Sequence, residues 1–265
     1  MENESIYVIV MNLNFNIDIA ADYHSSTQIA RVLTEDWVGR NMYCPICGRP
    51  VIHHYENNRP VADFYCDCGS DFELKSKKNA DGNMGDKIVD GEYHTMISRI
   101  QSLQNPNFFF LSYNANAVNN LFMVPNHFFV PDIIEKRRPL ADGARRAGWQ
   151  GCNILINEIP DSGKLFIVKD SMEMDHSKVV DEYQRLEGLR TSNLESRGWL
   201  MDVLACVDNV GSDEFSLDQI YAYELMLQAK HPQNNFIKDK IRQQLQCLRD
   251  RGFIQFTARG RYRRV

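Results

Sequence analysis

The chain has no apolar run long enough to cross a bilayer, no internal repeat, no low-complexity tract and no excess of positive charge. The longest early apolar stretch, "IYVIVM" from Ile6 to Met11, is too short for a membrane span, and the acidic residues before it do not fit a signal peptide. A cytosolic protein with no membrane partner and no obligate protein partner is therefore expected. Met11 opens "MNLNFNIDIA" and would itself serve as a start, so residues 1–10 read as a dispensable extension. The net charge of −5 argues against a uniformly basic nucleic-acid binder. Seven cysteines are an odd number, which a closed disulfide framework would not leave. Apolar residues make up 43% and charged residues 25% of the 265, enough for a sizeable core in one large domain or one medium domain plus a small one.

Four of the cysteines come in close pairs, Cys44 with Cys47 and Cys66 with Cys68, while Cys152, Cys206 and Cys247 stand alone as small buried hydrophobes. "YCPICG", Tyr43 to Gly48, has the form of a zinc knuckle: Cys-x-x-Cys with a Pro and a trailing Gly that let backbone N–H groups reach the thiolates. "CDCG", Cys66 to Gly69, is one residue shorter than the usual partner, so His53 or His54 stands as an alternative ligand should Cys68 not reach. A redox Cys-x-x-Cys is the rival reading, but no thioredoxin-like βαβ pattern surrounds it.

That cysteine pair sits in "PVADFYCDCGSDFELKSKK", between an acid, Asp63, and a Glu-x-Lys, Glu73 to Lys75. On a strand alternate residues share a face, so Glu73 and Lys75 point together, and Phe72 and Leu74 are expected in the core. A tight connection would bring Asp63 beside Glu73. Two carboxylates suit Mg²⁺, a hard ion that prefers oxygen, with the Leu74 carbonyl as a further ligand. Such an ion stabilises charge on a phosphate and acidifies a water, and Lys75 would orient or deprotonate that water. Phosphodiester hydrolysis needs this set; the bland alternative is a surface hairpin with a Glu–Lys ion pair. Glu35 or Asp36, on a first helix expected over 26–38, is a further candidate metal contact. A four-cysteine zinc site would then pin the connection between Asp63 and Glu73.

Helix, strands, helix and strands follow in that order, an α/β core. "VADFY", "DFELKSK", "NFFFLSY", "NNLFMVP" and "GKLFIVK" read as strands, and the stretch after Gly91 as a helix. The polar "TSNLESRGW" from Thr191 reads as a linker, which divides the chain into domains at 1–190 and 191–265. Beyond it, three helices and a hairpin make a winged helix-turn-helix. Ser216 and Gln219 form a capping box for the second helix. Ile237, Ile241, Leu245 and Leu248 form the apolar stripe of the third, whose other faces are expected to carry Lys238, Lys240, Arg242, Gln243 and Gln244. With Asn234 and Asn235 just before it, this third helix offers donors to base edges in a major groove. Arg259, Arg261, Arg263 and Arg264 would take phosphate from the wing. Residues 236–265 hold nine Lys/Arg against two acids, and 136–149 hold five against one. Two basic patches on an acidic chain suit local phosphate contact.

The sequence resembles the DpnI-type methyl-directed restriction endonucleases. The likeness runs in order through "ARVLTEDWV", "YCPICG", "ENNRPVADFYC", "FELKSKK", "NPNFFFLSY", "RRPLADGARRAGWQGCNI", "SRGW" and "KIRQQLQCLRD", nearly the whole chain from Met11. It departs at "CDCG", where the family has two residues between the cysteines. The resemblance implies a PD-(D/E)xK nuclease domain with a structural zinc, then a winged helix. It implies Mg²⁺-dependent cleavage of duplex DNA at GATC when adenine carries an N6-methyl group. The family's catalytic residues fall on Asp63, Glu73 and Lys75. Its methyladenine-sensing loop falls on "RRAGW", which sets Trp149 against the methyl groups with Arg145 and Arg146 as phosphate anchors. The winged helix would be a second methyl reader, with Asn235, Lys238, Arg242, Gln243 and Arg261 at the DNA; Trp199 belongs to a helix core or to a second pocket. A non-catalytic methyl-DNA reader on the same fold, or a nuclease for another methyl mark, are the alternatives.

Overall fold

The computed structural model describes residues 11–56 and 62–265. The proposed extension 1–10 lies outside the described residues. Along the chain come α1 (Ser26–Asn41), β1 (His53–His54), β2 (Phe64–Tyr65), β3 (Asp71–Lys78), β4 (Lys87–Glu92) and α2 (Tyr93–Gln101). Then follow β5 (Asn107–Asn114), β6 (Ala117–Val124), β7 (Ile134–Lys136), β8 (Gly151–Leu155), β9 (Leu165–Lys169), β10 (Met172–Glu173) and α3 (His176–Glu187). The C-terminal stretch holds α4 (Leu194–Asn209), β11 (Glu214–Ser216), α5 (Leu217–Tyr221), α6 (Glu224–Lys230), α7 (Ile237–Asp250), β12 (Ile254–Ala258) and β13 (Arg261–Arg264).

Two compact units divide the chain: Met1–Met84 with Phe108–Met123 and Phe166–Val180, and Gly85–Asn107 with Val124–Leu165 and Asp181–Val265. The first is built on a seven-stranded sheet in the order β1-β2-β3-β5-β6-β9-β10. Its centre, β5, is buried along seven of its eight residues, which is why it reads as an unbroken apolar run. Phe108, Phe110, Phe122 and Phe166 pack in series on one face, with centroids 5.2 to 6.0 Å apart. On the other face Phe72 stacks on Phe109 at 4.8 Å. Helix α1 covers that face through Trp37 and Val38, both fully buried, and its Thr34 hydroxyl meets Ser76 of β3 at 3.3 Å. The Trp37 indole N–H donates to Asn12 O at 2.7 Å, so this large ring is buried without a polar cost.

The second unit carries a three-stranded sheet β4-β8-β7 and, near the C-terminus, another in the order β11-β13-β12. The stretch expected to be a linker is helical from Leu194, because the Asn193 side chain accepts from Ser196 N–H and starts α4 there. The Ser216–Gln219 capping box is present. The helix it starts breaks at Ala222–Tyr223 into α5 and α6, so four helices stand where three are expected. Of the described residues of "VADFY", 62–65, Phe64–Tyr65 are strand. No described helix is long and apolar enough to cross a membrane.

Candidate active site and nucleic-acid interface

The cysteine pairs build two matching turns. In the first, Cys44 N–H donates to Arg49 O at 2.8 Å and Gly48 N–H to Cys44 O at 2.9 Å. In the second, Cys66 N–H donates to Ser70 O at 2.9 Å and Gly69 N–H to Cys66 O at 2.8 Å. Gly48 and Gly69 both have positive φ, +75° and +89°, where a side chain would be strained. The second turn closes one residue sooner, yet all four sulfurs lie within 4.8 Å of one another. Cys44–Cys68 and Cys47–Cys66 are 3.8 and 3.6 Å apart. Tetrahedral zinc with Zn–S of about 2.3 Å needs sulfurs about 3.8 Å apart, so the donor set fits that ion. Burial pushes the Cys44 thiol up. Burial opposes ionisation of Cys68 as well, but bonds from the Ser70 hydroxyl and from Cys66 outweigh it and bring this thiol down to about 7. The histidine alternatives are not required: His53 faces Asp67 at 3.5 Å and His54 faces Glu35 at 3.4 Å.

The turn from Cys66 to Ser70 joins β2 to β3, which pair with Phe64 opposite Phe72 and Tyr65 opposite Asp71. Asp63 lies just beyond this ladder, and its N–H donates to Phe72 O at 2.9 Å, one residue out of step with the Phe64–Phe72 pairing. Its carboxylate thereby lands on Leu74 N–H at 2.7 Å. Leu74 stands between Glu73 and Lys75, whose side chains meet at 2.6 Å, each about one-sixth exposed. The Lys75 ammonium is also 5.9 Å from the centre of the Phe108 ring. Leu74 itself is half-buried, unlike the fully buried Phe72, which corrects the expectation of a core leucine.

Burial raises the Asp63 pKa above the ordinary carboxylate value; the Leu74 amide opposes that rise, the nearby Glu35 carboxylate adds to it, and Lys75 and His54 oppose it. Glu35 of α1 accepts from Arg31 at 2.7 Å and lines a cleft of about 730 Å³ with Arg31, Asp36, Arg40 and His54. Asp36 pairs with Arg40 at 2.6 Å, and of the two helix acids it is Glu35 whose charge acts on Asp63. Arg31 and His54 carried no signal as neighbours of this site, because only the fold brings them to Asp63.

In the second unit Trp149 closes the exposed loop between β7 and β8: Leu140 N–H donates to Trp149 O at 2.9 Å and Gly148 N–H to Leu140 O at 3.0 Å. The ring is half-buried rather than part of a core. The Arg146 guanidinium lies 4.7 Å from its centroid, and Arg145 is exposed beside it. The backbone of Gly151 provides its seat: a Cβ there would come within 2.9 Å of the Trp149 ring and 3.3 Å of the Arg137 guanidinium.

On α7, Lys238, Arg242 and Gln243 are exposed, as is Asn235 before it. Gln244 is buried, against expectation, because its position falls on the same side as Ile241, Leu245 and Leu248. Lys238 pairs with Glu224 at 3.2 Å, and Arg242 donates to the Tyr221 hydroxyl at 2.7 Å. Of the hairpin arginines, Arg259, Arg261 and Arg263 are exposed. Arg263 pairs with Glu214 at 2.5 Å, and Arg264 donates to the carbonyls of Val207 and Asp208 at the end of α4; both therefore hold the small sheet rather than standing free at a wing tip. Trp199 is buried in α4, stacked on His231 at 3.7 Å, and it also lines a cleft of about 530 Å³ with Asn234, Asn235 and Phe236. His231 bonds Asp202 at 2.7 Å, and Lys230 bonds both Asp202 and Glu158 at 3.0 Å, a part-buried polar group that no spacing along the chain announces.

Four converging cysteine sulfurs next to Asp63, Glu73 and Lys75, with a helix-turn-helix and hairpin on the same chain, suit a DNA-handling enzyme of mixed α/β class. The chain belongs to the DpnI family: residues 11–192 match the model of the Dam-replacing family, and residues 195–264 that of the Dam-replacing HTH domain. It is thus related to the DpnI-type methyl-directed endonucleases, with a C-terminal helix-turn-helix that points to DNA.

Proposed function

We propose that the chain is a type II restriction endonuclease that uses Mg²⁺ to hydrolyse duplex DNA at GATC sites carrying N6-methyladenine. In this reading residues 1–190 form a PD-(D/E)xK nuclease domain clamped by zinc on Cys44, Cys47, Cys66 and Cys68, and 191–265 a winged-helix reader. The observation that carries the reading is the placement of the Asp63 carboxylate on the amide between Glu73 and Lys75, in a chain of this family. Asp63, Glu73 and the Leu74 carbonyl would hold Mg²⁺, which when bound supplies positive charge to the scissile phosphate and a water of lowered pKa. Asp63 is held by the Leu74 amide, so its free oxygen is oriented before any ion arrives. With an ion bound, Lys75 would release Glu73 to it, and the freed lysine would orient the attacking water as the ammonium or, as the neutral amine, take its proton.

Trp149 would present an apolar wall to the N6-methyl group, with Arg145 and Arg146 on flanking phosphates. Asn235, Lys238, Arg242, Gln243 and Arg261 would dock α7 and the hairpin on the duplex. The test is digestion of matched methylated and unmethylated GATC duplexes with Mg²⁺, followed by end mapping. Cuts confined to methylated sites support the reading. Tight binding without nicking would make the chain a reader only, and cuts at another methyl mark would reassign its target.

A further inference from the structure

A cavity of about 150 Å³ opens between residues 100–105, the turn at 126–127 and the start of α4, all within the second unit. Asn105, His127, Arg190, Thr191, Ser192 and Arg197 are among its walls. Three of these side chains are almost wholly buried and leave polar atoms unpartnered. Asn105, 5% exposed, has no hydrogen bond to either its amide oxygen or its amide nitrogen. His127 Nε2 lies 2.9 Å from Leu186 O and must donate to it, which leaves Nδ1 as an acceptor without a donor. Glu187 is 3.9 Å from that Nδ1, too far to hydrogen-bond.

Arg197, 3% exposed, donates to Phe129 O at 3.1 Å and Thr191 O at 3.4 Å, and its Nε–H is unpartnered. Arg190 is neutralised by Glu187 at 2.9 Å, but no carboxylate pairs with Arg197 among the described residues. Burial and the nearby Arg190 charge both work against its protonated form. Arg190 and Arg197 against Glu187 leave one uncompensated positive charge at the cavity. Water can serve the amide and the imidazole, but it does not offset a buried charge.

We propose that this cavity binds a phosphate group. Its volume is that of about five waters, room for a five-atom oxyanion and a bridging water. Arg197 Nε–H, the Asn105 amide and the Thr191 and Ser192 hydroxyls supply donors for its oxygens. The N-terminal end of α4, a helix of 16 residues, begins at Leu194 beside the wall formed by Thr191 and Ser192 and adds to the positive potential. A free hydrogen phosphate would bring its own proton for His127 Nδ1 or Asn105 Oδ1; a DNA backbone phosphate would reach those acceptors through water.

The experiment compares the full chain with Asn105→Leu, which replaces the amide by an apolar group of similar size. One arm titrates inorganic phosphate by calorimetry at fixed ionic strength, with chloride as the control. The other measures duplex affinity without Mg²⁺ over a range of salt concentrations. Saturable one-to-one phosphate binding, weakened roughly tenfold or more in Asn105→Leu, identifies a free anion site. No free phosphate binding, with duplex affinity lowered about tenfold and the salt slope reduced by about one, identifies a DNA phosphate. Thr191→Val, at the rim, serves in the same two arms should Asn105→Leu lose its fold. No phosphate binding by the wild type and no change in duplex binding by a folded variant would mean that the cavity holds water alone, and would overturn the proposal.

Discussion

Replacing Gly151 by alanine tests the role proposed for Trp149 without touching the tryptophan. The added Cβ would meet the ring at 2.9 and 3.0 Å and the Arg137 guanidinium at 3.3 Å. Gly151 has no positive φ, so the backbone accepts alanine and the whole effect falls on these neighbours. A carbon cannot rest closer than about 3.5 Å, so the ring must move by about half an ångström or swing out of its seat. In a closed core such overpacking costs about 1–3 kcal/mol. Trp149 is half-buried on an exposed loop, so it yields, and stability should change by less than about 1 kcal/mol. If the ring covers the N6-methyl group, displacing it removes about 0.8 kcal/mol for each methyl. Two methyls in a palindrome make about 1.6 kcal/mol, or roughly fifteenfold in the ratio of methylated to unmethylated cleavage. Competitive digestion of the two duplexes measures that ratio, with Trp149→Ala as the reference. A Gly151→Ala protein of unchanged discrimination, beside a Trp149→Ala protein that has lost it, would refute the argument that this seat positions the ring. Unchanged discrimination in both would remove Trp149 from methyl reading.

Lys75→Ala should lower cleavage at least about a hundredfold while duplex binding persists, measured by plasmid nicking and by gel shift; normal turnover would exclude its proposed role. Freshly purified protein should hold one zinc per chain by elemental analysis, and Cys68→Ser should lose both that zinc and the cooperative unfolding of the first unit; a folded, zinc-free native protein would refute the clamp. Burial brings the His127 pKa down to about 4 from its ordinary 6.5. The unfolded chain therefore takes up this proton first, and the stability this histidine contributes is lost as pH falls from about 6.5 to about 4. Thermal unfolding across that range should show a decline that His127→Gln flattens, and an unaltered profile would mean that His127 is not held neutral.

Much of the first unit was legible because its signals are local. Alternation along "DFELKSK" sets Glu73 beside Lys75, and the cysteine spacing announces a clamp. The shortened knuckle was readable only as a doubt, since whether four sulfurs converge depends on two glycine turns separated by twenty residues of chain. Arg263 and Arg264 look the same in sequence as Arg259 and Arg261. Their different uses depend on Glu214 and on the end of α4, which only the fold delivers. Gln244 was misplaced because a helical stripe has width, and one polar side chain was carried in with it. Glu35 could be proposed from its helix but not chosen over Asp36, since a single residue of helix rotation decides which acid's charge acts on Asp63.

Helix α4 and its neighbours are tied to the rest of the second unit by polar bonds whose other ends lie outside residues 191–265. Asp208 takes the Ser162 amide and hydroxyl at 2.9 and 2.6 Å, Lys230 takes Glu158 at 3.0 Å, and Arg197 takes the Phe129 carbonyl at 3.1 Å. Expressed as an isolated fragment, the helix-turn-helix would expose Asp208, Lys230 and Arg197 with the Ser162, Glu158 and Phe129 partners gone. Affinities measured on such a truncation would describe a loosened module, so dissection of this protein should cut outside these bonds rather than at the point where the family models meet.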